Sequence, residues 1–239
     1  MEIDQLVLNY QPSQAGIDVI KQSKMLLIAG ITSSGKDTIC SELVASGIYY
    51  PIITHTTRLP RSNNGILEKD GVEYHFVSTD QMAGLLINYK MFEINNFGGN
   101  YYGTSIEEFA KAKQLNKVAI SRIDIHGVEA IYNVAPDAMT AIFVVPPDYS
   151  VWKNRLKNRY SDVKLFEADW QKRRKLAVDE LSQALNVVET PYYHFVINDD
   201  LDEAISDVND IIAGKDNYER EEKAKICAKK LLDAIKQNI

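Results

Sequence analysis

Met25-Leu26-Leu27-Ile28-Ala29 is a short uninterrupted apolar run that leads directly into a glycine. Such a run predicts a strand buried on both faces, as in a parallel sheet. Beyond it, Ile39, Leu43 and Val44 share one helical face and Gly47 follows, so Lys36 to Ser46 reads as a helix. Val118 to Ile123, Ala141 to Val145 and Phe195 to Ile197 repeat the pattern of a buried strand, with helical periodicity between them. That alternation predicts an α/β domain with a mainly parallel sheet.

The pattern changes between Ile52 and Tyr102, where short strand-like pieces and turn residues surround one helix opened by the capping box Ser78-x-x-Gln81. This stretch reads as a small subdomain inserted into the sheet order. Asp148 to Arg159 and Asp169 to Glu189 are predicted helices on either side of a polar turn around Ser161 to Lys164. A last helix, Tyr218 to Lys236, sets Ile226, Leu231, Leu232 and Ile235 against many Lys and Glu, after a boundary turn at Gly214-Lys-Asp-Asn217. Residues 1–22 carry scattered apolar positions interrupted by Pro12 and Gly16 and read as a weakly structured lead-in or docking arm. The expected organisation is therefore an extension over 1–22, a domain over 23–213 and a terminal helix over 214–239.

Composition narrows the function classes. Apolar residues make up 45% of the 239 and charged residues 25%, the balance of a globular protein. A net charge of −6 argues against general nucleic-acid binding, which rewards a basic surface. Cys40 and Cys227 are far apart and each falls on a predicted helix, which fits free thiols in a reducing compartment. There is no secretory signal pattern and no apolar segment of about 18 residues. A cytoplasmic location with no membrane partner is the expectation. His55, His75, His126 and His194 show no convergent metal or triad spacing.

The strongest chemical signal is Gly30-Ile31-Thr32-Ser33-Ser34-Gly35-Lys36-Asp37-Thr38, a G-x-x-x-x-G-K loop between a predicted strand and a predicted helix. In that context backbone N–H groups cradle phosphate oxygens, the helix N-terminus adds partial positive charge, and the lysine reaches the outer phosphates. ATP with Mg²⁺ is the implied donor, and Asp37 stands where a hydroxyl usually meets the metal.

The acceptor side has its own pattern. Thr54-His-Thr-Thr-Arg58-Leu-Pro-Arg61 is followed by Glu68-Lys-Asp-Gly71-Val-Glu-Tyr74, then Glu93, then Tyr102-Gly103-Thr104. Two arginines around a proline can fork onto one phosphate with bidentate, charge-assisted bonds. Together with the phosphate loop, a later Pro146-Pro147, Arg155-Leu156-x-x-Arg159 and Val196-Ile-Asn198-Asp-Asp, the chain resembles the guanylate kinase family from about Lys24 to Ile212. The loop between Arg61 and Glu68 is longer than the family's.

The resemblance implies a P-loop three-layer sandwich with a central parallel sheet, an inserted nucleoside-monophosphate-binding subdomain and a helical lid. It implies phosphoryl transfer from ATP to GMP or dGMP, with small nucleotides as the partners. Arg58, Arg61, Tyr74 and Tyr102 then match the residues that hold the acceptor phosphate, and Glu93 the one that reads guanine, whose N1–H and 2-amino group a carboxylate can accept together. Thr54, Thr104 and Asp124 match the rest of the base pocket. Arg155, Arg159 and Arg173 match lid arginines that stabilise charge on the transferred group beside Lys36. Asn198 matches a turn near the adenine.

Two charges depart from the family pattern. Where the family strand carries two acids, this chain reads Ile120-Ser-Arg122-Ile-Asp124-Ile-His126-Gly127, so the first acid has become Arg122. Arg122 and Asp37 are expected to face each other across one gap. Two other readings stay open here: a kinase for another phosphorylated acceptor, such as a different nucleoside monophosphate or a ribose bisphosphate, and a non-catalytic protein-binding scaffold. Retention of Glu93, the Asp70-Gly71-x-x-Tyr74 turn and the arginine pair favours a nucleotide acceptor, and the intact Gly35-Lys36 weighs against the scaffold.

Overall fold

Every residue of Met25–Ala29 is buried, as a strand covered on both faces requires. The computed structural model describes residues 3–63, 65–186, 192–215 and 218–237, and the chain divides into two compact units.

One unit is built from Leu26–Gly47, Arg122–Asn133 and Met139–Ile239. Strands Tyr193–Ile197, Met139–Val145 and Met25–Ala29 lie side by side in that order. The first two run parallel, with Ala141 opposite Tyr193 and Val145 opposite Ile197. Ile142, Phe143 and Val144 are fully buried, and the Phe143 ring lies 5.5 Å from that of Phe195. Helix Lys36–Ala45 leaves the phosphate loop as the sequence predicts.

Two helices of this unit differ from the sequence reading. The long helix spans Val163–Leu185 and starts before the expected Asp169. Its first turn is held by Asp162, which accepts from the Lys164 N–H, and Phe166 anchors that turn 5.3 Å from Trp170. Asn186 closes the helix; the expected end at Glu189 lies outside the described residues, as do Asp216 and Asn217 of the boundary turn. Helix Tyr218–Gln237 forms as expected but buries Ala224, Ala228, Leu231, Leu232 and Ile235. Ile226 is exposed, because the buried stripe follows the spacing through the two alanines.

The other unit comprises Met1–Met25, Ile48–Ser121 and Val134–Ala138. Tyr49–Pro51 pairs in parallel with Val118–Arg122, Tyr49 opposite Val118. A separate sheet runs in the order His75–Phe76, His55–Thr56, Asn100–Ser105, Met91–Phe97. Helix Thr79–Ile87 carries the expected capping box, Ser78 and Gln81 each bonding the other's backbone N–H. The long loop after Arg61 is a two-stranded ribbon, Ser62 opposite Leu67.

Regular structure also forms where the sequence suggests little. Ile3–Leu8 and Gln14–Lys21 are helices. Pro12 lies in the link between them, and Ser13 caps the second by accepting from the Gly16 N–H at 3.2 Å. Each helix is too short for its periodicity to stand out against that interruption.

Candidate active site

The phosphate loop is shaped by what its glycines avoid. Gly30 has φ 143° and Gly35 φ 95°, conformations that suit a residue without Cβ. A Cβ on Gly30 would sit 2.5 Å from the Val144 carbonyl oxygen, and one on Gly35 would sit 1.9 Å from Asn198 Nδ2. The second approach has a purpose, because Asn198 Nδ2 donates to the Ser34 carbonyl at 2.9 Å. Trp152 Nε1 donates to the Thr32 carbonyl at 2.8 Å. The loop is thus pinned from two sides by neighbouring elements.

Ser33 Oγ and Ser34 Oγ are buried without a hydrogen-bond partner. An unsatisfied buried polar group costs about 1–3 kcal/mol, and a loop that takes phosphate oxygens supplies the missing acceptors. A cavity of about 380 Å³ opens here, lined by Ser33, Gly35, Lys36, Asp37, Thr38, Arg155, Arg159 and Asn198. Burial pushes the Lys36 ammonium below its usual pKa, against the pull of Asp37 and Glu180. Arg155 donates to the Asn198 carbonyl at 2.8 Å, which ties the lid helix to the expected adenine turn.

Arg173 is not among the residues lining this cavity. Its Nε donates to Asp169 Oδ2 at 2.7 Å, and the Tyr160 hydroxyl donates to the same oxygen at 2.6 Å. Asp37 and Arg122 do face each other, Oδ1 to Nη1 3.5 Å, with both side chains more than half exposed. Asp124 follows directly on the strand predicted over Val118 to Ile123. The strand instead ends at Arg122, and Asp124 is exposed and accepts from the Gly127 N–H at 2.8 Å. Turning the chain into helix Ile125–Val134 accounts for the carboxylate at that place.

Glu180 was not singled out from sequence. Burial raises its pKa while Lys36 lowers it, and its Oε2 is buried without a partner. It is one acid among several on a charged helix, and only packing distinguishes it.

In the other unit, Glu93 stands opposite Thr104 in the antiparallel register. The Thr104 hydroxyl donates to Glu93 Oε1 at 2.8 Å and Asn95 Nδ2 donates to Oε2 at 2.9 Å. Each carboxylate oxygen is thereby oriented by a donor from a neighbouring residue. Asn95, unlike Thr104, carries no motif signal. Tyr74 and Tyr102 meet edge to face with ring centres 6.0 Å apart.

Arg58 is only 8% exposed. Its fork is occupied by Glu68, at 2.9 and 3.1 Å, and Nη1 also donates to the Leu59 carbonyl at 2.7 Å. The guanidinium lies over the Tyr74 ring, 5.2 Å from its centre. Bonding to Glu68, helped by the Tyr102 hydroxyl, holds its pKa above the ordinary arginine value. Glu68 also accepts from the Arg61 N–H at 2.8 Å, so the ribbon after Arg61 returns the chain to fix both arginines. Arg61 is exposed. Thr54 takes part through its carbonyl, which accepts from the His75 N–H at 3.0 Å.

The histidines beside these residues form a cluster that spacing did not reveal. The His55 and His75 rings are 4.6 Å apart, and His75 Nε2 is 3.2 Å from Oε1 of the buried Glu108. Burial, reinforced by His75, pushes His55 down to about 4. Among the described residues no group of three or more His, Cys, Asp or Glu is arranged to hold a metal ion, and no helix is long and apolar enough to cross a membrane.

Comparison with known proteins places this geometry. The family model described as guanylate kinase matches residues 22–215. A guanylate kinase of Neisseria gonorrhoeae is 31% identical over 195 residues, covering 80% of this chain and 88% of that protein. One of Sulfurimonas denitrificans is 33% identical over 186 residues, covering 77% and 84%. The crystal structure of guanylate kinase from Anaplasma phagocytophilum aligns with a TM-score of 0.57 at 21% identity, covering 81% of this chain and 86% of that one, a likeness of fold. With a glycine loop and lysine in one unit and both a threonine-braced glutamate and an arginine pair in the other, the chain belongs to the guanylate kinase family.

Proposed function

We infer that this protein transfers the γ-phosphoryl group of ATP to GMP or dGMP. The observation that carries the reading is the Glu93 carboxylate, aimed by Thr104 at one oxygen and Asn95 at the other. That is the acceptor set that guanine's adjacent N1–H and 2-amino donors require, and adenine presents no such pair.

In this reading Arg58, Arg61, Tyr74 and Tyr102 bind the acceptor phosphate. Glu68 orients Arg58 and, with the Leu59 carbonyl, occupies both Nη1 hydrogens, so only donors on Nη2 and Nε can face the substrate. A phosphate oxygen of GMP attacks the γ-phosphorus, the bond to the β–γ bridging oxygen breaks, and ADP leaves with the electron pair. Lys36, Arg155 and Arg159 meet the charge that grows on the transferred group and the leaving oxygen, with Arg173 a further lid cation. Asn198 holds the turn beside the nucleotide.

Mg²⁺, when bound, neutralises charge on the outer phosphates. Asp37, which lines the same cavity as Ser33, would offer it a hard oxygen donor. Residues 23–213 would be the catalytic domain, with 1–22 and 214–239 as additions. Free thiols at Cys40 and Cys227 fit a reducing compartment, which supports a cytoplasmic reaction.

A coupled ADP-release assay across the common nucleoside monophosphates tests the reading. Turnover with GMP and dGMP well above AMP, CMP and UMP is expected, and equal turnover with AMP would overturn it.

A further inference from the structure

The amino-terminal segment precedes the family match, which begins at residue 22, yet it is bonded to the acceptor sheet. Ile3, Leu6, Val7 and Tyr10 pack on a buried cluster of Met82, Leu86, Met91 and Tyr101. Two polar contacts then fix the register. The Tyr101 hydroxyl donates to Asp4 Oδ1 at 2.5 Å. The Tyr10 hydroxyl donates to the Met91 carbonyl at 2.6 Å and accepts from the Met91 N–H at 3.2 Å. Met91–Phe97 is the outer strand of its sheet, so Tyr10 occupies backbone groups at its free edge.

Both anchors adjoin acceptor residues. Along Asn100–Ser105 burial alternates, with Tyr101 buried and Tyr102 and Thr104 partly open. Successive strand residues face opposite ways, so the arm lies behind the face that carries Tyr102 and Thr104. Tyr101 also holds the loop entering the arginine pair: its N–H donates to Thr57 Oγ1 at 2.9 Å and its carbonyl accepts from the Thr57 N–H at 3.1 Å. Thr57 precedes Arg58. At the other anchor, the register shift in the strand falls between Met91 and Glu93, and a bulge there re-aims the side chain that follows.

We propose that Asp4 and Tyr10 are positioning residues of the GMP site, bracing the acceptor sheet from behind so that Glu93, Tyr102 and Arg58 are set before substrate arrives. Preorganisation of this kind raises affinity without a new contact, because less ordering is left for the binding step. The inference rests on the acceptor-site reading given above. It predicts an effect on GMP and none on ATP.

The test uses the full-length chain with Asp4→Ala, Asp4→Asn and Tyr10→Phe. Asp4→Asn keeps an acceptor for the Tyr101 hydroxyl; Tyr10→Phe keeps the ring and removes the backbone contacts. Asp4→Ala and Tyr10→Phe should each raise KM for GMP roughly three- to tenfold, the scale of one lost hydrogen bond. KM for ATP and kcat should stay within about twofold, the limit we set for no effect on a step the lost bond does not touch. Asp4→Asn should restore most of the loss, and calorimetric titration with GMP alone should show the same order of affinities. A merely structural role would lower melting temperature and active fraction while leaving KM for GMP unchanged, and that result would overturn the brace. So would parallel rises in both KM values. If Asp4→Ala fails to fold, the near-isosteric Tyr10→Phe decides. Wild-type protein that neither binds nor phosphorylates GMP would overturn the acceptor reading itself, a result distinct from intact wild-type turnover with unaffected variants.

Discussion

Arg122 Nη1 lies 3.5 Å from Asp37 Oδ1, directly after the phosphate-loop lysine. The pair occupies the place where relatives of this pattern are expected to set a hydroxyl beside an acid. With both side chains more than half exposed, the bridge contributes at most about 1 kcal/mol to folding. Its effect is expected in catalysis, where Arg122 restrains the carboxylate that would meet Mg²⁺ or its water. Asp37→Ser and Arg122→Asp should each lower kcat, and the double variant should recover part of the loss. A double-mutant cycle on kcat checks this, with coupling of about 0.5–3 kcal/mol expected for contacting residues. Additivity within about 0.5 kcal/mol would show that the two do not cooperate.

Lys36→Ala should cut turnover by at least about a hundredfold, the usual loss when one preorganised electrostatic donor is removed. The fold should survive, since burial already works against the ammonium. Steady-state kinetics beside a circular dichroism melt separate the two effects. Wild-type turnover would rule out the mechanism as drawn.

Glu93→Gln should erode guanine selectivity while leaving the strand register intact. An amide accepts through one oxygen and presents donors of its own, so one of guanine's two bonds is lost. About 1–3 kcal/mol of discrimination is at stake, read as the ratio of kcat/KM for GMP and AMP. A variant that keeps the full ratio would place base recognition elsewhere.

His55 gives a pH prediction with a definite sign. Its pKa falls from 6.5 to about 4 on folding, chiefly through burial, then through His75, with Glu108 and Glu107 opposing and Lys111 adding to the shift. Between those values the unfolded chain binds the extra proton, so the contribution of neutral His55 is complete above pH 6.5 and is lost as pH falls toward 4. His55→Phe should therefore lose less melting temperature than the wild type between pH 6.5 and 4.5, the upper part of that window. Identical pH profiles would show that His55 does not carry this dependence.

Contiguous signals were legible in the sequence and folded ones were not. The loop from Gly30 to Thr38 could be read directly because one turn of chain supplies its chemistry, and Met25–Ala29 because an apolar run has one stable place in a parallel sheet. Glu93 and Thr104 were legible as matched residues, but their bond depends on strand register. Glu68 could be quoted as part of a motif, yet its grip on Arg58 requires the ribbon that folds back between them. Asn95, Glu180 and the His55–His75 pair acquire meaning only through neighbours brought from elsewhere in the chain. The first turn of Val163–Leu185 was missed because its apolar Val163 and Leu165 are exposed and only Phe166 is buried, so no continuous stripe marks it.

The two tryptophans of the chain are neighbours, Trp152 and Trp170 with ring centres 5.4 Å apart. Trp152 hangs its indole N–H on the Thr32 carbonyl of the phosphate loop, and Lys153 lies over the Trp170 ring. Indole emission therefore arises wholly within the unit that holds the donor loop, and its colour and yield depend on a bond to that loop and on a cation nearby. Excited selectively, the two indoles would report on the surroundings of that loop in unlabelled protein, with no tryptophan in the other unit to obscure them.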